Sequence, residues 1–165
     1  MKICFIDLET TGLDPKTKKI WQIAGCIRNN GKIVKKFNYI DKKSEENLYH
    51  KFIAALDEGV NKFDKDDKMF FVAYNAPFDG SFIRRMFETN GNKFIGSYFY
   101  NPYTCLMQMA SRYFMKNPKK KRPENFKLGT VCRYFGIKVI DFKLHDGNYD
   151  IEISRKLYNK LNKLV

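Results

Sequence analysis

The sequence predicts an α/β fold in which a mixed β-sheet is covered by helices. Three observations lead there. Five short runs carry the Ile, Phe, Val and Tyr of strands and are bounded by turn residues. The second and third runs are separated by Asn29-Asn30-Gly31, a tight-turn sequence that makes them an antiparallel hairpin. The later runs alternate with helical patterns, and a strand–helix–strand crossover builds parallel pairs.

The elements follow in order. Residues 2–8 are rich in Ile and Phe and read as a buried strand. Residues 19–28 and 32–41 are the arms of the hairpin. Residues 44–56 form a helix, with Ser44 as N-cap and Phe52, Ile53 and Leu56 on one face. Residues 69–74 are a continuous apolar run, hence another buried strand. Residues 76–90 form a helix capped by Asn75, with Pro77 in the first turn, where its missing N–H is tolerated. Residues 93–100 are read as the fifth strand. Residues 104–115 and 127–135 are helices, the second ended by Gly136, and residues 149–164 are the last helix. No internal repeat breaks the pattern, so residues 1–165 read as a single domain.

Charge narrows the function. The chain has 31 Lys and Arg against 18 Asp and Glu, a net +13. Such an excess selects a polyanionic partner, nucleic acid before an anionic membrane, although lysines favoured by an AT-rich genome would need no partner. Part of the excess lies in residues 116–127. Lys119, Lys120, Lys121 and Arg122 there read either as a mobile, solvated linker or as an electrostatic contact to phosphates. No apolar run approaches the roughly 18 residues of a membrane-spanning helix. No basic amphipathic helix or lipidation signal is present either, so no membrane role is expected. Cys4, Cys26, Cys105 and Cys132 form no CxxC pair, and the two histidines offer no zinc-finger spacing. Cys4 and Cys26 sit in apolar runs as buried thiols. With Asp7 arriving too early for a signal peptide, a reducing cytoplasm is the expected compartment.

Four carboxylates occupy places where apolar residues belong. Asp7 and Glu9, two apart on the first strand, share the face of Ile3 and Phe5. Asp79 heads a helical stripe of Phe82, Ile83 and Met86. Helix-dipole complementarity explains an Asp in a first turn, but not one on the apolar face. Asp150 heads the stripe Ile153, Leu157, Leu161 and Leu164. Several buried acids close together need basic partners or divalent cations, and no arginine lies on these faces in the sequence. An all-oxygen donor set suits Mg²⁺ or Mn²⁺, and two such ions stabilise the attacking and leaving oxygens of a phosphoryl displacement. His145, five residues before Asp150 and followed by Gly147 and Asn148, suits a loop beside that site, where it would be a general base for water. The other histidine, His50, sits mid-helix and reads as structural or surface.

These residues resemble an ordered family pattern. Phe5-Ile6-Asp7-Leu8-Glu9-Thr10-Thr11-Gly12-Leu13-Asp14-Pro15 is similar to the first motif of the DEDDh-type 3′–5′ exonucleases, the DnaQ-like family. Asn75-Ala76-Pro77-Phe78-Asp79 resembles the second, and His145 to Asp150 resembles the third. The resemblance spans nearly the whole chain, and the segment Lys127-Leu128-Gly129 to Phe135-Gly136-Ile137 precedes the third motif as it does in the family. Ile151 stands where the family usually has Ala, and Tyr103 where an Asp is common.

The resemblance implies a ribonuclease H-like fold with a central five-stranded mixed sheet. It implies Asp7, Glu9, Asp79 and Asp150 as ligands of two Mg²⁺ or Mn²⁺ ions and His145 as the base that deprotonates the attacking water. It implies cleavage of phosphodiester bonds at nucleic-acid 3′ ends, releasing nucleoside 5′-monophosphates. Single-stranded DNA is the first expected substrate and RNA the second. Thr10, Thr11, Gly12, Leu13 and Asn75 would hold the terminal nucleotide, with Phe78 and Phe82 as stacking surfaces. The expected form is a monomer or homodimer. With no evident polymerase-tethering tail, a free-standing nuclease of phage or mobile-element type is expected. The competing reading is a catalytically silent module of the same fold that grips nucleic-acid ends.

Overall fold

The computed structural model describes residues 1–164; Val165, the last residue of the expected domain, lies outside the described residues. Strands β1 (Lys2–Thr10), β2 (Ile20–Asn29) and β3 (Lys32–Ile40) form an antiparallel meander. Helix α1 (Glu45–Gly59) leads to β4 (Met69–Ala73), and α2 (Ala76–Thr89) leads to β5 (Phe99–Cys105). Helices α3 (Leu106–Lys116), α4 (Leu128–Tyr134) and α5 (Gly147–Leu161) complete the chain. The five strands lie in the order β3-β2-β1-β4-β5, with β1–β4 and β4–β5 parallel. This is the expected ribonuclease H-like architecture.

Alternation along β1 sets the two layers. Cys4, Ile6 and Leu8 join a core with Leu48, Phe52 and Leu56 of α1 and Phe82, Ile83 and Met86 of α2. Ile3 and Phe5 point the other way, into a core with Ala110 and Phe114 of α3, Val131 of α4, and Ile153 and Leu157 of α5. A period-two strand buried on both faces needs apolar residues at every position, which is why residues 3–6 are continuously buried. The hairpin turns through Asn30 and Gly31, with φ of +46° and +84°, the left-handed backbone that this dipeptide adopts readily. Ser44 caps α1 as expected, its hydroxyl accepting the Asn47 N–H at 3.1 Å. Asn75 precedes α2 but its side chain makes no cap.

Several element boundaries differ from the expectation by two or more residues: β1 runs on to Thr10, α1 to Gly59, and α3 begins at Leu106, and two elements differ more consequentially. The strand read at residues 93–100 is displaced: Ile95–Ser97 wind into a 3-10 turn, and β5 runs through Pro102 to Cys105. Proline argues against a central strand, but β5 is an edge, where one side carries no ladder and a missing N–H costs little. The last helix begins two residues early, at Gly147. Asp146 is its N-cap, accepting the Tyr149 N–H at 3.1 Å, so Gly147 and Asn148 are its first turn rather than a loop. It ends at Leu161, and Leu164 is exposed rather than part of the apolar stripe.

Candidate active site

Asp7 and Glu9 stand near the C-terminal end of β1, opposite Ala24 and Gln22 of β2. Because β4 runs parallel to β1, its C-terminal end and the start of α2 fall at the same edge of the sheet, which delivers Asp79 from the first turn of α2. The α5 N-terminus reaches that edge by close approach to β2. A Cβ on Gly147 would stand 2.6 Å from the Ala24 Cβ and 3.0 Å from Gln22 Nε2, so only glycine lets the helix sit there. Asp150 follows in the first turn of α5.

The four carboxylates feel one another. Burial raises the Asp7 carboxyl well above the ordinary range, and Asp79, Asp150 and Glu9 add to the rise in that order. Asp79 is pushed up to about 7 by burial; backbone N–H groups of Asp79 and Leu8 pull it back, and Glu9 pushes it up. Burial also raises Glu9 and Asp150. The His145 N–H donates to Asp150 Oδ2 at 3.1 Å, and among the described residues Asp150 Oδ1 is buried with no hydrogen-bond partner. A buried acceptor without a donor, beside three more acids, is an unsatisfied arrangement that a bound cation would relieve. All-oxygen donors fit hard divalent ions. Among the described residues no group of three or more His, Cys, Asp or Glu side chains is close enough together to hold a metal ion as placed.

His145 lies outside helix and strand with φ of +69°, a left-handed conformation that histidine adopts more often than most residues. Its side chain is 89% exposed, and its Nδ1 stands 4.0 Å from Glu9 Oε1. Its side chain is thus open to solvent while its backbone N–H holds Asp150. His50 is a surface residue, 3.8 Å from Glu46.

The loop after β1 carries the residues expected to hold a nucleotide. Thr10 Oγ1 donates to the Gly12 carbonyl at 2.7 Å, and Thr11 Oγ1 accepts the Lys19 N–H at 3.0 Å. Leu13 projects into solvent, 84% exposed. Across the edge, Asn75 is exposed and Phe78 half-buried. Phe82 is a correction: it is fully buried, so its ring backs Phe78, with centroids 4.9 Å apart, and offers no open face for stacking.

Sequence reasoning missed the clamp that fixes this loop. Arg85 of α2 forms an ion pair with Glu45 of α1 and donates to the Lys18 carbonyl at 2.9 Å, while Glu45 Oε1 accepts the Ile20 N–H at 2.7 Å. Three segments separated by 25 to 67 residues meet here, and no local signal marks them. Lys119, Lys120, Lys121 and Arg122 are exposed on the connection between α3 and α4, away from any helix or strand. That connection is tied to the site edge where the Tyr74 hydroxyl, just past β4, donates to the Phe126 carbonyl. All four cysteines are buried and free.

Comparison with known proteins gives the same architecture. The family model of the RNase H superfamily matches residues 4–153. Exonuclease I superposes with a TM-score of 0.76 over 99% of this chain at 16% identity. Escherichia coli exonuclease I in complex with a dT13 oligonucleotide gives 0.74 over 98% at 17%, and the zinc ion-bound form of its ssDNA complex gives 0.73 over 98% at 16%. At such identities the likeness is one of fold. The chain spans about 41% of the length of exonuclease I. No curated protein matches the chain.

Proposed function

The chain belongs to the RNase H superfamily, and from that premise we propose that it is a metal-dependent 3′–5′ exonuclease of the DEDDh type acting on single-stranded nucleic acid. The observation that carries the reading is the set of four carboxylates at one edge of the sheet, each raised by burial, with the Asp150 Oδ1 left unpartnered among the described residues. Asp7, Glu9, Asp79 and Asp150 would hold two Mg²⁺ or Mn²⁺ ions. When bound, such ions stabilise charge on the attacking and leaving oxygens.

The chain's own residues supply the rest. The imidazole of His145 accepts the proton of the attacking water. Water adds to phosphorus, the P–O3′ bond breaks, O3′ of the shortened strand leaves and takes up a proton from solvent, and a nucleoside 5′-monophosphate is released. Glu9 Oε1 faces the ring, 4.0 Å from His145 Nδ1. The Thr10–Leu13 loop, held by the Arg85–Glu45 clamp, positions the terminal nucleotide with Asn75, and Phe78 stacks on its base. Four buried free thiols suit the reducing compartment proposed for the chain.

The test is direct. The protein is incubated with 5′-labelled single-stranded DNA or RNA of equal length, in Mg²⁺, Mn²⁺ or EDTA. The proposal requires a ladder shortening from the 3′ end with either metal and none in EDTA. Tight binding without cleavage in any metal would leave a silent end-binding module.

A further inference from the structure

A basic trough lies beside the proposed centre. Helix α5 packs on β1 and β2, and β3 is the edge strand beyond β2. The trough between α5 and β3 has a volume of about 820 Å³, within the range of roughly 300–1,000 Å³ of ligand clefts. Lys36 of β3, Tyr149, Arg155 and Lys156 of α5, and Phe142 and Lys143 of the preceding 3-10 turn line it. Asp146 and Tyr149, which also line it, are the chain neighbours of His145 and Asp150, so the trough shares the α5 N-terminus with the proposed centre.

Its charge is positive and incompletely matched. Lys156 pairs with Glu152 at 2.5 Å. Among the described residues Arg155 Nε is buried with no hydrogen-bond partner. The Lys143 ammonium lies 6.0 Å from the centre of the Tyr149 ring, and the Phe142 ring, 86% exposed, covers nothing. Cations spaced along a trough with an unburied aromatic ring suit one occupant, a polynucleotide whose phosphates meet the cations and whose unstacked base meets the ring. A duplex hides its base faces and cannot use Phe142 in this way.

We infer that this trough binds the nucleotides on the 5′ side of the cleaved bond, with Lys36, Lys143 and Arg155 on phosphates and Phe142 stacked on a base. The inference rests on the nuclease reading for its direction but not for its measurement. Lys36, Phe142 and Lys143 are exposed, so their replacement does not disturb the core.

The experiment compares wild type with Lys36→Gln/Lys143→Gln and with Phe142→Ala. Binding of a long 5′-labelled oligothymidylate is titrated in EDTA at several salt concentrations, and cleavage of the same oligomer and of a dinucleotide is followed in Mg²⁺. The double variant should lower the salt slope by about 1.4, at about 0.7 per neutralised phosphate on single strands. Phe142→Ala should weaken binding by about 5- to 150-fold, the worth of one stacked base, with the slope unchanged. Cleavage of the dinucleotide, which offers the trough a single nucleotide, should fall less than cleavage of the long oligomer. Wild-type affinity and slope in all variants would overturn the trough as a binding track while leaving the nuclease reading intact. Failure of the wild type to cleave either substrate would overturn the nuclease reading, and the EDTA titration would still decide the trough.

Discussion

Asp79 is buried at the head of α2 with a carboxyl pushed up to about 7, and it shows what the site costs the fold without cations. A carboxyl whose pKa rises on folding holds its proton more tightly in the native chain. Its contribution is therefore fully present in acid and is lost as pH rises through about 7. In EDTA the melting temperature should fall between about pH 4 and 7, and added Mg²⁺ should reverse the fall. Asp79→Asn keeps an oxygen to accept the backbone N–H groups and removes the charge. It should raise stability at neutral pH in EDTA by on the order of 1–4 kcal/mol and abolish cleavage. A destabilised Asp79→Asn would mean that the carboxylate is a structural hydrogen-bond acceptor and not a cation ligand. His145 is tested by His145→Asn, since asparagine also accepts the left-handed backbone and preserves the N–H to Asp150. Turnover should drop about 10²–10⁴-fold, with Mn²⁺ affinity by calorimetry nearly unchanged. A large loss of Mn²⁺ affinity would place the imidazole among the metal ligands.

Helix α5 is the element on which the site depends, and its position is only half legible in the sequence. The apolar stripe from Ile153 to Leu161 announces the helix, and Asp150 at its head announces the site. Its first turn is hidden because Gly147 and Asn148 read as breakers. The contact that requires glycine, with Ala24 and Gln22, spans more than a hundred residues of sequence. Strand β5 is misplaced for a related reason: Pro102 forbids a central strand but not an edge, and edge position is a property of the finished sheet. The four acids are legible because a carboxylate on an apolar face stands out locally. The Arg85–Glu45 clamp and the trough beside α5 are not, because each is assembled from separate elements. Gly147→Ala should tilt the α5 N-terminus off β2. Overpacking of this kind costs about 1–3 kcal/mol, and because Asp150 moves with the turn, activity should fall further than the reduced stability explains. A melting curve and kcat/KM on the same preparation check this; full activity in a destabilised variant would separate α5 docking from the chemistry.

At the scale of the whole molecule, the net charge of +13 has to be divided between a general attraction and specific contacts. The connection carrying Lys119, Lys120, Lys121 and Arg122 is exposed, but the Tyr74–Phe126 hydrogen bond ties it to the edge where the parallel strands end. Open α/β sheets bind ligands beyond the carboxyl ends of their strands, so a charged connection there stands in the approach path. Charges that greet the substrate before reaction act on ground state and transition state alike. Neutralising all four residues should therefore raise KM while leaving kcat near wild type, and should slow association most at low salt. The salt slope of binding should fall by about 0.7 for each phosphate that these side chains neutralise in the wild type. Rim charges that only steer would instead lower the association rate and leave that slope nearly unchanged. Stopped-flow association at two ionic strengths, run beside the equilibrium titration, separates the two. A quadruple variant with wild-type rate, KM and slope would assign the connection to a solvated linker and leave recognition of the nucleic acid to the loop after β1 and the trough beside α5.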